Sequence, residues 1–221
     1  MDNETACGRV LDVGTGSGIW AVNFADDHPE AEIDDVEEEW TWSRPFNYIH
    51  SRVMTGAIDD WDLYPRRCYE HQTHSNLEPG GWIELQELDV NVTSDDGTLT
   101  PHHVLSHWSR LLAAASQKLG RPYIDPRALA AAHDPTTGLA AVGFVDVSVT
   151  TFKWPLNEWP KSAKHKQLGR IQLENGTTGM EAFTMAAFTR AFKWTPEAVN
   201  VFLVDVRNDL RDRDIHAYML A

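Results

Sequence analysis

Three alternating glycines follow a short apolar run near the start of the sequence, and their spacing suits a ligand that lies on the backbone. Residues 10–13 predict a β-strand, and an apolar-periodic segment that begins at Ile19 predicts a helix. Between them stand Gly14, Gly16 and Gly18. Glycine accepts a positive φ and has no side chain, while the start of a helix offers free N–H groups. The sequence therefore predicts a strand, a ligand-binding turn and a helix.

The spacing of these glycines discriminates between two cofactor classes. A dinucleotide site needs Gly-x-Gly-x-x-Gly, which would place the third glycine at position 19, where the chain has Ile19. Asp12, two residues before the first glycine, favours a ligand with a positive group. We therefore expect S-adenosylmethionine, which carries ammonium and sulfonium groups, and not NAD. A glycine-rich turn without a ligand is the structural alternative.

An acidic stretch follows about 20 residues after the glycines. In nucleoside-binding α/β folds, an acid at this distance hydrogen-bonds the ribose hydroxyls. Asp34 and Asp35 lie at that distance, at the end of a short predicted strand over residues 31–35. Residues 37–39 are all glutamate and are equally well explained as a solvated charged turn.

Polar residues also end the next predicted strand, which covers residues 44–50. His50, Ser51 and Arg52 stand at its carboxyl end, where ligands of open α/β sheets bind. We therefore include them among the site candidates, with His50 as the candidate general base. His71 and His74 are three residues apart, but no further ligand cluster accompanies them, and we predict no metal site.

The elements that must position these residues alternate between strand and helix. Besides those above, we predict strands over 82–90, 144–149, which follows a C-cap glycine at Gly143, and 215–220, and a loop over 71–79. The predicted helices cover 19–28, 57–69 with an interruption at Pro65, 104–119, 127–132, 138–142 and most of 159–214. This order predicts a doubly wound, mostly parallel α/β sheet with a helical insertion before the last strand. We expect one domain over 1–221, with a cofactor-binding half (9–90) and a substrate-side half (91–221).

Charge and composition exclude several classes of function. The 221 residues include 19 basic and 33 acidic ones, for a net charge of −14, which repels phosphate backbones and argues against a nucleic-acid partner. Two cysteines make no disulfide framework, and no apolar run reaches the length of a membrane span. We therefore expect an intracellular protein, cytoplasmic or nuclear, without a membrane partner.

Several segments match one family together. The chain resembles the fungal LaeA-like methyltransferases, a branch of the class I S-adenosylmethionine-dependent enzymes. The matching segments are 10–21, 33–40, 46–52, 77–87, 94–99, 143–147, 168–170 and 215–218. The resemblance implies a Rossmann-like fold, S-adenosylmethionine as cofactor, a small-molecule or protein methyl acceptor and a link to secondary metabolism. It also leaves open a regulatory protein partner.

The chain departs from the family pattern at the acidic stretch. Family members usually carry a lengthy segment before the first strand, and a second strand that ends in the ribose-binding acid; here residue 32 runs directly into Ile33-Asp34-Asp35. About one strand and its connection are missing. By spacing, Asp35 replaces the ribose acid; by resemblance, it belongs near the adenine. We favour the second interpretation because the match continues to Trp40, although the shortened chain could move this short strand into the vacant strand position.

The glycine turn and the resemblance together predict the cofactor contacts. These are Asp12, Val13, Gly14, Thr15, Gly16, Gly18, Ile19, Trp20, Asp34, Asp35, Val36, His50 and Arg52. Two functional classes follow. The first is an active methyltransferase, and the second is a methyltransferase-fold binding or regulatory module with weak or no catalysis.

Overall fold

The computed structural model describes residues 8–14, 18–35, 44–71, 74–123 and 138–221. Within these ranges only the backbone is described at 32–35, 70–71 and 74–75. The chain forms two compact units. The first comprises residues up to 54, 60–87 and 127–149; the second comprises 55–59, 88–126 and 150–221.

Strands and helices alternate through the first half of the chain, and two long helices occupy most of its last third. In chain order the described elements are β1 (Arg9–Val13), α1 (Ile19–Asp27), β2 (Glu32–Asp35), β3 (Phe46–Arg52), α2 (Leu63–Tyr69), β4 (Glu70–His71), β5 (His74–Ser75), β6 (Leu77–Gln86), β7 (Asp89–Thr93), α3 (Val104–Lys118), α4 (Gly138–Val142), β8 (Lys153–Pro155), α5 (Ala163–Phe192), α6 (Pro196–Arg211) and β9 (Tyr218–Leu220). None of the described helices combines the length and the apolarity needed to cross a membrane.

A parallel sheet organises the first unit. Its strand order is β2-β1-β3-β6, and all three pairings are parallel. Parallel strands are usually covered on both faces, which explains why β1 reads as an almost continuous apolar run. Val10 and Leu11 are fully buried, and Val13 is nearly so. The predicted doubly wound, Rossmann-like fold is confirmed.

The short strand after α1 lies directly beside β1. Its register runs from Arg9 opposite Glu32 to Asp12 opposite Asp35. The connection from α1 is short, and Ala31 N–H closes it by donating to the His28 carbonyl at 2.9 Å. The shortened sequence thus places its acidic strand in the position next to the glycine-turn strand.

The second unit combines a three-stranded antiparallel sheet with three helices. The sheet has the order β7-β9-β8, and α3, α5 and α6 pack through an apolar core. At the start of α6, Thr195 Oγ1 accepts a hydrogen bond from Ala198 N–H at 3.2 Å, and Pro196 takes the first helical position. The predicted helical insertion before the last strand therefore consists of α5 and α6.

Two predicted strands are wrong in extent. Residues 144–149 do not form one, because the backbone turns at Asp146 (φ 54°) and Val145 is 81% exposed. The strand here is β8, a few residues later. Gly143 (φ 119°) directly follows α4, as expected of the predicted C-cap glycine. Residues 82–90 divide into β6 and β7, which belong to different sheets.

The region between β3 and β6 also differs from the prediction. The helix predicted to start at residue 57 begins at Leu63, because Asp60 Oδ1 accepts from the backbone N–H groups of Asp62 and Leu63 and so caps it there. Pro65 then falls in the first turn, where a missing N–H costs little. The predicted loop over 71–79 contains the β4–β5 hairpin and the start of β6. The helix predicted over 127–132 lies outside the described residues.

Candidate functional site

Residues predicted for the site come together in one row across three parallel strands. Asp12, near the carboxyl end of β1, pairs in register with Asp35 of β2 and with His50 of β3. The carboxyl ends of parallel strands are where open α/β sheets bind ligands. This arrangement agrees with the sequence analysis, which placed these residues at the carboxyl ends of their strands.

The described part of the glycine turn has the backbone that the sequence requires. Gly14 and Gly18 both have φ 76°, in the left-handed region that favours glycine. A Cβ at Gly14 would also overlap the sulfur of Met54. Gly18 is the N-cap of α1, where no side chain caps the helix, so its first turn presents backbone N–H groups. Thr15 and Gly16 lie outside the described residues.

Asp12 and His50 form a buried pair beneath this turn. His50 Nδ1 lies 2.8 Å from Asp12 Oδ1, and the two residues are 1% and 3% exposed. An ionised carboxylate can only accept a hydrogen bond, so the ring nitrogen Nδ1 of His50 is the donor in this contact. The hydrogen bond fixes the direction of the carboxylate and orients the imidazole with Nδ1 toward Asp12.

An aromatic layer from α1 covers the imidazole. The rings of Trp20 and His50 stack with centroids 3.7 Å apart and an angle of 6° between planes. Phe24 stacks on Trp20 at 4.9 Å and on Tyr48 at 5.8 Å. His50 is therefore enclosed, and direct proton transfer to a substrate would require Trp20 to move. Its role as general base stays a prediction.

A second carboxylate faces the same row from β6. Glu84 is in register with His50, and Tyr48 donates to it through its hydroxyl at 2.5 Å. Partial burial alone would raise the pKa of Glu84, but hydrogen bonds from Gln86 and Tyr48 outweigh it and hold the pKa below its usual value. Sequence reasoning missed Glu84 as a site residue; the signal was its polar position in an alternating strand that pairs with β3.

Glu87 is a further residue that sequence reasoning missed. It is 4% exposed, and its Oε1 accepts from the backbone N–H of Met54 at 3.0 Å. Because Met54 stands against Gly14, this hydrogen bond fixes the segment that borders the glycine turn. The only sequence signal was an acid at the end of the β6 pattern.

The remaining residues predicted to contact the cofactor differ in position and in exposure. Val13 is buried under the turn, Ile19 is 55% exposed at the start of α1, and Arg52 is exposed at the end of β3. Asp34 precedes Asp35 in β2, where the backbone alone is described. Val36 lies outside the described residues.

A parallel sheet with a glycine turn and an acid at the carboxyl end of its first strand defines a nucleoside-binding α/β protein. Comparison with known proteins narrows this class. Residues 3–136 match the family model described as a methyltransferase domain. The chain therefore belongs to the methyltransferase family.

Curated relatives specify the branch. A protein named methyltransferase pytC from Aspergillus terreus is 38% identical over 231 residues, which cover 94% of this chain and 68% of pytC. Secondary metabolism regulator LAE1 from Cochliobolus heterostrophus is 34% identical over 235 residues, or 95% of this chain and 73% of LAE1. Both aligned lengths exceed the 221 residues of this chain, so each relative has residues without a counterpart here. The chain is a LaeA-like class I methyltransferase, and its cofactor is S-adenosylmethionine.

A solved structure is similar at a lower level. A Haemonchus contortus methyltransferase bound to S-adenosylhomocysteine aligns with a TM-score of 0.47 and 15% identity, covering 99% of this chain and 48% of that chain. This similarity is too low for a residue-by-residue comparison.

Proposed function

We propose that this chain transfers the methyl group of S-adenosylmethionine to a small-molecule or protein acceptor in fungal secondary metabolism. The observation that supports this most is the row formed by Asp35, Asp12 and His50 beside a turn in which Gly14 and Gly18 have positive φ. The sulfonium methyl is already electrophilic, so the protein mainly orients the reactants and excludes water. The link to secondary metabolism rests on the name of the LAE1 relative, a secondary metabolism regulator.

The pairing of β2 bears on the two interpretations of Asp35. The acid that holds the ribose in this class of fold ends the strand next to the glycine-turn strand. β2 occupies that position, and Asp35 is its last residue. This favours Asp35 as the ribose acid, against the interpretation that the sequence match alone favoured.

Asp12 has a supporting electrostatic role in this proposal. Its carboxylate is nearly buried and directed by His50, so its negative charge is poorly screened. Such a group stabilises a cation at the adjacent glycine turn better than a solvated acid would. His50 acts here as a positioning residue for Asp12.

Calorimetry with S-adenosylhomocysteine tests the proposal. Asp35→Ala removes charge-assisted hydrogen bonds worth roughly 1.5–3 kcal/mol each, which predicts about 10- to 100-fold weaker binding. Glu32→Ala is the matched control, because Glu32 is an acid at the other end of the same strand. Equal affinities for the two variants would contradict the assignment of Asp35.

A regulatory module without turnover is the second candidate. The LAE1 relative, named as a regulator, favours it. The discriminating assay supplies labelled S-adenosylmethionine together with fungal extract and measures transferred label. Transfer of label to an acceptor supports an active enzyme. Cofactor binding without transfer of label to any acceptor supplied supports a regulatory module.

A further inference from the structure

A groove in the second unit lies between β8 and the first turns of α5. It encloses about 310 Å³, and its walls are largely apolar. Phe152 and Ile171, two of its lining residues, are 59% and 48% exposed. Large apolar side chains exposed together around a concavity are typical of a binding surface.

The segment that carries this groove is rich in lysine in an otherwise acidic chain, and two of its lysines, Lys153 and Lys164, line the groove. Four of the six lysines lie at 153, 161, 164 and 166, and no Asp or Glu occurs between Glu158 and Glu174. The net charge of the whole chain is −14, so this concentration of cations opposes the overall composition. No acid in the first turn of α5 offsets it.

The cations in and near the groove differ in how far ion pairs neutralise them. Lys153 donates to Asp95 at 2.5 Å, and Arg170, on the same helix as Lys164, pairs with Glu158. Lys164 lines the groove, is exposed, and has no ion pair with any residue in the described part of the chain. It is therefore available to an anionic group of a ligand seated in the groove.

We propose that this groove docks an acidic segment of another protein, with an aromatic or aliphatic side chain in the cavity and a carboxylate on Lys164. Apolar walls beside the unpaired ammonium of Lys164 complement that composition. The volume suits one or two side chains, and an acidic partner is attracted locally although the chain as a whole is acidic. None of the residues that line this groove is among those assigned to cofactor binding, and the inference goes beyond the proposed function.

Other occupants fit less well. A nucleic acid or an anionic membrane presents many charges over a broad surface, and a net charge of −14 opposes both. A concave site with one unpaired lysine recognises a short segment instead. Both alternatives remain outcomes of the test below.

The test measures binding of a fluorescein-labelled peptide of about 12 residues in which glutamates flank one Trp and one Leu, by anisotropy at low salt. Lys164→Glu should weaken binding roughly tenfold or more, and so should Ile171→Ser, which removes apolar wall without changing charge. Lys166→Glu, two residues further and outside the groove lining, should change affinity less than about threefold. Arg190→Glu, near the other end of α5, is the second charge control.

Three results would overturn the proposal. The first is no binding of the peptide by the parent chain at up to about 1 mM. The second is equal loss in Lys164→Glu, Lys166→Glu and Arg190→Glu, which would show only general electrostatic attraction. The third is binding of anionic vesicles or single-stranded DNA that Lys164→Glu abolishes while the peptide fails to bind. Affinity for S-adenosylhomocysteine should stay unchanged in all four variants, so failure here leaves the cofactor assignment intact.

Discussion

Replacing His50 tests how the buried pair supports the glycine turn. In the structure its imidazole donates to Asp12 at 2.8 Å and stacks on Trp20 at 3.7 Å, with 1% of the residue exposed. His50→Leu keeps comparable bulk but removes the donor. His50→Asn is the matched variant, because its amide nitrogen can occupy the place of Nδ1.

The magnitude follows from what each variant removes. A hydrogen bond to a charged group contributes about 1.5–3 kcal/mol, and an aromatic stack adds about 0.5–1.5 kcal/mol. His50→Leu loses both and leaves the Asp12 carboxylate buried with one donor fewer, so the free energy of unfolding should fall by about 2–4 kcal/mol. His50→Asn loses mainly the stack and some packing, so about 1–2 kcal/mol is expected.

Urea unfolding monitored by circular dichroism measures these changes. A double-mutant cycle with Asp12→Asn isolates the coupling between the two side chains, which should be at least about 1 kcal/mol. The reasoning is refuted if His50→Leu is as stable as the parent chain within about 0.5 kcal/mol, or if the effects of the two substitutions simply add.

Three further predictions concern other parts of the fold. Gly169→Ala should lower the unfolding free energy by about 1–3 kcal/mol, because its Cβ would overlap the backbone carbonyl of Asn157; a thermal melt with an unchanged midpoint would contradict this. Cys68 is buried, and burial raises the pKa of its thiol to about 12, so in a Cys7→Ser background iodoacetamide at about pH 8 should modify it only after unfolding; rapid modification of the folded chain would count against its burial. Asp96 accepts a hydrogen bond from the His216 ring, and this contact and those from Thr98 lower the pKa of Asp96 from 3.8 to about 2. The contribution of Asp96 to stability is therefore present above pH 3.8 and lost as the pH falls through 2. Over that window the parent chain should lose more stability than Asp96→Asn, and an equal loss in both would contradict this.

Local sequence signals correctly predicted the glycine turn and the start of α6. The glycine spacing located the turn, and Thr195-Pro196 located the start of α6 correctly, because both depend on backbone chemistry within a few residues. Alternation at 144–149 misled because period-two patterning reports side-chain polarity, and it does not register a backbone turn such as the one at Asp146.

Contacts between residues far apart in the sequence could not be predicted from local sequence patterns. The pairing of Asp12 with His50 depends on the register between β1 and β3, and the enclosure of His50 depends on where α1 places Trp20. Neither follows from spacing along the chain. The sequence left two interpretations of β2 open. The register of its backbone with β1 favours the one in which this short strand lies beside the glycine-turn strand.

Calorimetric titration of the parent chain with S-adenosylhomocysteine, beside an identical titration with NADH, tests the central claim most directly. The Asp12 and Gly14 geometry, with Ile19 in the place of a dinucleotide glycine, predicts one-site binding of S-adenosylhomocysteine with a Kd on the order of 1–100 μM and no heat from NADH. Binding of NADH at micromolar affinity, with no heat from S-adenosylhomocysteine, would contradict it.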